Sequence, residues 1–525
     1  MEEYYLSVIL TAVAAALTCF TALPMLKIIQ LSGYRARGVV AWWKDSACDV
    51  LVRYAALTLF AFITVIIYVG CFGSFAYARY AATALYSVLA IVFIASAGKS
   101  GANGVKFTGR AVRLFIVNAV LTLGLGVLVA WANYYSTYCQ TLVAGLAILA
   151  PFVAVAANAV TCPFEKLNNL RYVKRAKKKL AEKGPIVIGI TGSFGKTTAK
   201  NMLAAMLGGK YGVLATPGSY NTPMGICKTI NDKLGDEEIF IAEMGARYKG
   251  DIKELCDIVS PKYGMITAIG DMHIRTLKNR AGVADTKYEL GAALPNDGLL
   301  VLNGYNPDCA ALASRDSRCE KRVTGNSRAA FRDVKLGADG TRFVLALDGN
   351  DVEITASMLG GHIAELACAC AEIALELGVS AQDIAAAIRT MQPVPHRLEL
   401  VPTEGSRVVI DDGYNSNPVG AKNALDVLAC FEGKKVIITP GFVELGGIEK
   451  QCNAELGRQI ADVCDYAFLV GAKSGDIKKG AVKADMNEDR IYECKTRDEA
   501  VAVMNENIAD GDLVILFEND VPVVG

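Results

Sequence analysis

Residues 186–198 read IVIGITGSFGKTT: an apolar run from Ile186 to Ile190, a glycine-bearing turn, then Lys196, Thr197 and Thr198. Pro185 precedes the run and an Ala/Met/Leu-rich stretch follows it. The pattern predicts a buried strand, a loop and a helix that starts near Thr197. Such a junction suits a phosphate group. Gly192 and Gly195 let backbone N–H groups approach an anion, the helix N-terminus adds partial positive charge, and Lys196 adds a full one. The Thr197 hydroxyl is placed to hold Mg²⁺. Ser193 and Thr198 complete the candidate nucleotide loop. The spacing departs from the common phosphate loop, which would need glycine at Ile190. A plain glycine-rich turn is the alternative reading.

Downstream, apolar runs at Val213 to Thr216, Ile239 to Glu243, Met265 to Ile269 and Leu299 to Leu302 alternate with helical stretches near 251–258 and 281–294. Alternation of this kind predicts a parallel sheet with helices on its faces. Ligands then sit at the carboxyl ends of the strands. Glu243 ends one strand and His273 follows another, so both are candidate Mg²⁺ ligands. Each alone also reads as an ordinary loop or helix-start residue. Residues 320–357 read as short strands with a hairpin at Asp348-Gly349-Asn350. Further runs at Val408 to Asp411, Lys435 to Thr439, Tyr466 to Val470 and Leu513 to Phe517 predict a second, Rossmann-like α/β unit.

The first third of the chain is different. Five apolar stretches, about 4–26, 54–75, 80–98, 113–133 and 142–161, are each near the length a bilayer core needs. The first begins with Glu2 and Glu3 and lacks a small-residue cleavage site, so a removable leader is not expected. Lys and Arg cluster after the first, third and fifth stretches: Lys27, Arg35, Arg37, Lys44 and Arg53; Lys99, Lys106, Arg110 and Arg113; Lys166, Arg171, Lys174 and Arg175. The other connections are nearly uncharged. This asymmetry predicts an outside N-terminus and a cytoplasmic chain beyond residue 162, in a multi-pass protein of the cell membrane. Residues 163–184 read as a basic linker helix.

The chain has 525 residues, too many for one ordinary domain, and a net charge of +1 gives no electrostatic case for nucleic acid. Hydrophobic residues make up 53%, concentrated at the front. Fifteen cysteines without CxxC or zinc-like spacing fit reduced thiols rather than a disulfide framework. The fold class expected is therefore α/β. N-terminal transmembrane helices (1–162) and the linker (163–184) precede a P-loop-type parallel-sheet ATPase domain (185–395) and a C-terminal Rossmann-like domain (396–525).

Eight motifs then carry a resemblance: ITGSFGKTT, TPGSYNTPMG, IAEMGA, GDMH, DTKYE, HRLEL, DDGYNSNP and VELG follow one another as in the Mur ligase family. The resemblance covers about residues 185–525. It implies an ATP-dependent amide ligase that works through an acyl phosphate and adds an amino acid or a dipeptide such as D-alanyl-D-alanine to a cell-wall precursor. By that resemblance Lys196 and Thr197 would hold ATP phosphates and Mg²⁺, with Glu243 and His273 completing the metal site. Lys287 matches the lysine that family members carbamylate, and Asn303 one that lies near the adenine. Arg397, beside His396, and the loop with Asp412, Tyr414, Asn415, Asn417 and Pro418 would close on the nucleotide. All three histidines, at 273, 362 and 396, fall in such motifs.

The chain also departs from the family. Asn221 is followed by Thr222 where two asparagines are frequent, and Ile363 follows His362 where asparagine is common. Asn453 stands near the place of a missing histidine, and FEND at 517–520 replaces a KGS-like turn. The apolar front stands where the family grips a UDP-sugar, so the acceptor is expected to be UDP-linked or lipid-linked. Two other functions compete: a poly-γ-glutamate synthetase-like ligase, and a nucleotide-binding membrane subunit without catalysis. A transporter ATPase is disfavoured because no second ATPase signature accompanies the loop.

Overall fold

The computed structural model describes residues 2–36, 38–40, 42–43, 52, 54–56, 59, 63, 66, 75–99, 105–135, 146–403, 407–414, 417–443, 445–508 and 512–519. They form two compact units, one within residues 1–170 and one within 171–523.

The first unit is helical, with helices Glu2–Thr21, Leu23–Leu31, Phe75–Lys99, Gly109–Tyr135 and the start of Leu146–Lys183. Three stretches, Val8–Leu31, Gly109–Ala132 and Leu146–Lys183, are long and apolar enough to cross a membrane. The spans expected at 4–26, 113–133 and 142–161 fall on them. The span expected at 80–98 is helical, with a shorter apolar stretch at Tyr80–Ile94. The span expected at 54–75 lies largely outside the described residues. Small side chains at Ala147, Ala150, Ala154 and Ala157 are buried on one helix face, the spacing that lets apolar helices approach closely. Outward, Ile116, Val120, Val127 and Trp131 are exposed. The three basic helix ends lie together: the Gln30 side chain bonds the Lys106 backbone, Arg110 covers the Tyr34 ring, and Arg113 pairs with Glu165 at 2.6 Å.

The expected linker is not a separate element. It is the last part of the helix Leu146–Lys183, which continues through Pro163. Its end belongs to the second unit, where Ala176 and Leu180 are buried and Lys179 donates to the Asn231 carbonyl.

The second unit holds two large sheets. The first contains β1 (Ile186–Thr191), β2 (Val213–Ala215), β3 (Ile239–Glu243), β4 (Tyr263–Ile266), β5 (Leu299–Leu302) and β6 (Glu320–Val323). Its order is β2-β3-β1-β4-β5-β6 and every pairing is parallel. Both faces are covered, which is why the inner strands β1, β3, β4 and β5 read as short apolar runs, whereas the edge strand β6 is polar. Next come β7 (Ala329–Gly337), β8 (Gly340–Leu347) and β9 (Asn350–Ala356), an antiparallel meander. Asp348 and Gly349 form the expected two-residue turn, with φ of 48° and 81°, the left-handed pair that a tight hairpin demands.

The second sheet contains β10 (Glu399–Val401), β11 (Val408–Asp412), β12 (Lys434–Thr439), β13 (Tyr466–Val470), β14 (Ile491–Cys494) and β15 (Leu513–Glu518). Its order is β10-β11-β15-β12-β13-β14, parallel except for the β10 edge. Three strands differ from the sequence reading, β10 among them, a short edge strand that the sequence did not announce. β4 begins at Tyr263 rather than Met265, because Ile188 pairs with Tyr263 and the later residues turn into the loop toward His273. β14 is too short and mixed in polarity to have been expected.

Candidate functional site

The junction at residues 186–198 places a strand end against a helix start. β1 ends at Thr191, Gly192 to Gly195 turn the chain, and the helix Lys196–Gly208 begins with Gly195 as its left-handed N-cap, φ 77°. Gly192 (φ 154°) admits no side chain, since a Cβ there would lie 2.0 Å from Thr267 Oγ1. The turn is strapped to the chain after β4. Ser193 N donates to Ala268 O, Gly270 N donates to Ser193 Oγ at 3.0 Å, and Thr267 Oγ1 donates to Phe194 O at 2.5 Å. The Lys196 ammonium folds back onto the Gly192 and Ser193 carbonyls at 2.7 and 3.1 Å. Packing pushes its pKa down to about 8, against the opposing pull of Glu243 and with the repulsion of Arg397. Thr198 is buried beneath the turn.

Glu243, at the end of β3, is the hub beside this turn. It is 1% exposed, and among the described residues its carboxylate accepts from three donors. Thr197 Oγ1 donates to Oε2 at 3.0 Å, Lys200 Nζ to the same oxygen at 3.2 Å, and Asn221 Nδ2 to Oε1 at 3.1 Å. Lys200 is also 1% exposed and donates to the Gly218 carbonyl at 2.5 Å. It thereby ties the loop of TPGSYNTPMG to the phosphate turn. The sequence reading missed Lys200. Its signal was a charged residue one helical turn after Lys196, among Ala199, Met202 and Leu203 on the core face.

Lys287 lies on the helix Arg280–Ala293 and is 3% exposed. Burial first, and then the neighbouring Lys196 charge, push its pKa down to about 7. His273 holds a left-handed conformation, φ 55°, at the head of the short helix Ile274–Leu277. Among the described residues, no three His, Cys, Asp or Glu side chains converge as a metal cluster. The Thr197 hydroxyl and the Glu243 carboxylate nevertheless offer Mg²⁺ two adjoining hard oxygens, and phosphate oxygens and water suit its remaining positions.

Asn303, at the end of β5, is buried, and its amide is engaged within the protein. Nδ2 donates to Thr267 O and Glu365 Oε2, both at 2.9 Å, and Oδ1 accepts from Tyr305 N. Arg397 donates to the Tyr414 carbonyl at 2.7 Å and lies over that ring. Its charge reaches Lys196, His362 and Asp412. The Asp412 carboxyl is raised to about 6 by burial, against the pull of Arg397. Asn417 caps the helix Pro418–Ala429 by accepting from Val419 N and Gly420 N. Asn415 lies outside the described residues.

A second carboxyl stands at the same edge of the C-terminal sheet. Glu518 ends β15 and is the parallel register partner of Asp412. It is 1% exposed and accepts from Thr439 Oγ1 at 2.5 Å. Burial, assisted by Asp412, raises it to about 8. Because the folded value lies above the ordinary 4.5, the native state binds the extra proton. Stability on this account is greatest below that value and is lost as pH rises toward about 8. Glu518→Gln is expected to flatten that decline, by an amount on the order of 4 kcal/mol. Hydrogen-exchange stability of the C-terminal sheet, measured from about pH 4 to pH 9, checks it.

Comparison with known proteins adds to this geometry. The family model of the Mur ligase middle domain matches residues 190–374, and that of the Mur ligase glutamate ligase domain matches 396–517. The chain is 32% identical over 346 residues to the UDP-N-acetylmuramoyl-tripeptide–D-alanyl-D-alanine ligase of Bacillus subtilis, covering 65% of this chain and 74% of that one. It is 30% identical over 378 residues to the enzyme of that name from Mycobacterium tuberculosis strain H37Rv, covering 66% and 73%. Among solved structures it is similar to MurF from Acinetobacter baumannii, with a TM-score of 0.62, 24% identity, and 67% and 77% of the two chains covered. It is also similar to the MurF ligase of Thermotoga maritima in complex with ADP, with a TM-score of 0.58, 23% identity, and 67% and 80% covered. At these identities the structural likeness is one of fold.

Proposed function

The chain belongs to the Mur ligase family and is an ATP-dependent amide ligase; on that premise we propose that it adds D-alanyl-D-alanine to the peptide of a cell-wall precursor at the cytoplasmic face of a membrane. The observation that carries this reading is the Thr197–Glu243–Lys200–Asn221 constellation. It joins the phosphate turn to the loop that the family uses for its acceptor. The relatives named above supply the substrate class.

ATP would lie with its phosphates on the turn amides and Lys196. Thr197 and Glu243 would hold Mg²⁺, which would supply charge neutralisation for phosphoryl transfer. The acceptor carboxylate attacks the γ-phosphate, and Lys196 stabilises the spreading negative charge. ADP leaves and an acyl phosphate remains. The free amine of the dipeptide attacks its carbonyl, the tetrahedral intermediate expels phosphate, and an amide forms. Arg397 and Asp412 would contact the nucleotide and exclude water as the domains close.

Lys287 fits carbamylation. With its pKa down near 7, much of it is a neutral amine at physiological pH, the form that adds to CO₂. The product is a carboxylate-like oxygen donor beside Lys196, which suits a second Mg²⁺. His273 would complete the metal site of Thr197 and Glu243. Lys287→Met is expected to abolish turnover while ATP still binds. Carbon-13 NMR with labelled bicarbonate checks the chemistry: a carbamate signal present in the wild type and absent from this variant.

Apolar helices in the first unit and the basic ends they share support membrane insertion, with the ligase unit on the cytoplasmic side. The decisive experiment is phosphate release from ATP with UDP-linked and lipid-linked tripeptide acceptors, against D-alanyl-D-alanine and glutamate as amines. Release with glutamate and not with the dipeptide would favour a poly-γ-glutamate type of ligase. No release with any pair would leave a non-catalytic nucleotide-binding subunit.

A further inference from the structure

The first unit contains a cavity of about 450 Å³ that the ligase chemistry does not use. It lies at the basic end of the helices, between residues 29–40 and the helix Leu146–Lys183. Ile29, Val39, Val40, Val155 and Ala159 make its walls apolar. Two polar groups stand against them. Asn158 is 8% exposed, and its Nδ2 points to the Tyr34 carbonyl at 3.4 Å. Its Oδ1 is buried without a hydrogen-bond partner among the described residues. Lys166, at the rim, is exposed and has no ion pair among the described residues. The adjacent Glu165 is neutralised by Arg113 at 2.6 Å, so the rim is net positive.

We propose that this cavity binds one anionic membrane lipid, its acyl chain along the Val155 and Ala159 wall and its phosphate at Lys166. The ligand matches the site in two respects: an apolar slot for the chain and, at its rim, a cation with no ion pair among the described residues. The position agrees with the ligand, because anionic lipid is enriched where basic helix ends face the cytoplasm. This inference rests on the membrane reading above, and it concerns a site separate from the phosphate turn.

The test uses the full chain in nanodiscs of mixed phosphatidylglycerol and phosphatidylcholine, with retained lipid read by native mass spectrometry. Phosphatidylglycerol is expected to be retained over phosphatidylcholine by about tenfold. Ala159→Trp, which fills the slot, and Lys166→Glu, an exposed change that does not threaten folding, should each remove that preference. Val120→Trp, on an exposed face of another helix, should leave it intact. Equal retention of the two lipids, or a preference unchanged in both cavity variants, overturns the proposal. So does displacement of the lipid by inorganic phosphate, which would mark a free-anion site. Recovery of the chain without detergent in the soluble fraction would instead sink the membrane reading itself.

Discussion

Lys200→Met is expected to destabilise the ligase unit by about 3–5 kcal/mol and to stop turnover. The reason lies in what it leaves behind. Glu243 shares one oxygen between Lys200 and Thr197, inside a site where both charged side chains are almost wholly buried. Without the ammonium, the carboxylate is an uncompensated interior charge. The hub that joins Thr197 and Asn221 loses its anchor, so stability and chemistry fall together. The double variant Lys200→Met, Glu243→Gln removes the stranded charge. It should recover most of the stability and none of the activity, which separates the two effects. Hydrogen exchange or pulse proteolysis is the measurement, because all three tryptophans, Trp42, Trp43 and Trp131, lie in the first unit.

Lys196→Ala should behave in the opposite way. Among the described residues its ammonium donates to two loop carbonyls, at 2.7 and 3.1 Å, and the turn is held independently by Ser193 and Thr267. The fold should therefore survive. Turnover should drop by about 10²–10³-fold, the usual cost of removing one donor aimed at developing charge. Rapid-quench measurement of ATP consumption, beside an unchanged exchange profile for the β1 strand, checks both halves. A variant that keeps wild-type rates would show that the turn does not hold the reacting phosphates.

Much of this was legible in the sequence, and the reason is periodicity. Strands buried on both faces, such as Ile239–Glu243 and Leu299–Leu302, read as short apolar runs. Glycines at 192 and 195 announced a turn whose backbone geometry requires them. The pairing of Asp348 with Gly349 fixed a hairpin. Contacts between distant segments were not legible. Nothing local reveals that Lys200 meets Gly218, or that the last residue of β15 lies beside the last residue of β11. Lys200 hides because its ammonium finds partners in a loop and a strand end that only the folded sheet brings near. Glu518 hides for a related reason: an acidic residue after an apolar run reads as the point where a strand surfaces, whereas here it is enclosed. The helix boundary expected near residue 163 failed because Pro163 sits inside a helix that continues through it.

The straps on the phosphate turn bear on selectivity. Gly192 is wedged against Thr267, and Ser193 and Phe194 are fastened to the segment after β4, all through contacts that involve no nucleotide. A cradle assembled beforehand spends little ordering entropy on its guest, diphosphate and triphosphate alike. Discrimination between the two then falls to the groups that would meet the γ-phosphate, Lys196 and a metal at Thr197 and Glu243, and not to closure of the turn.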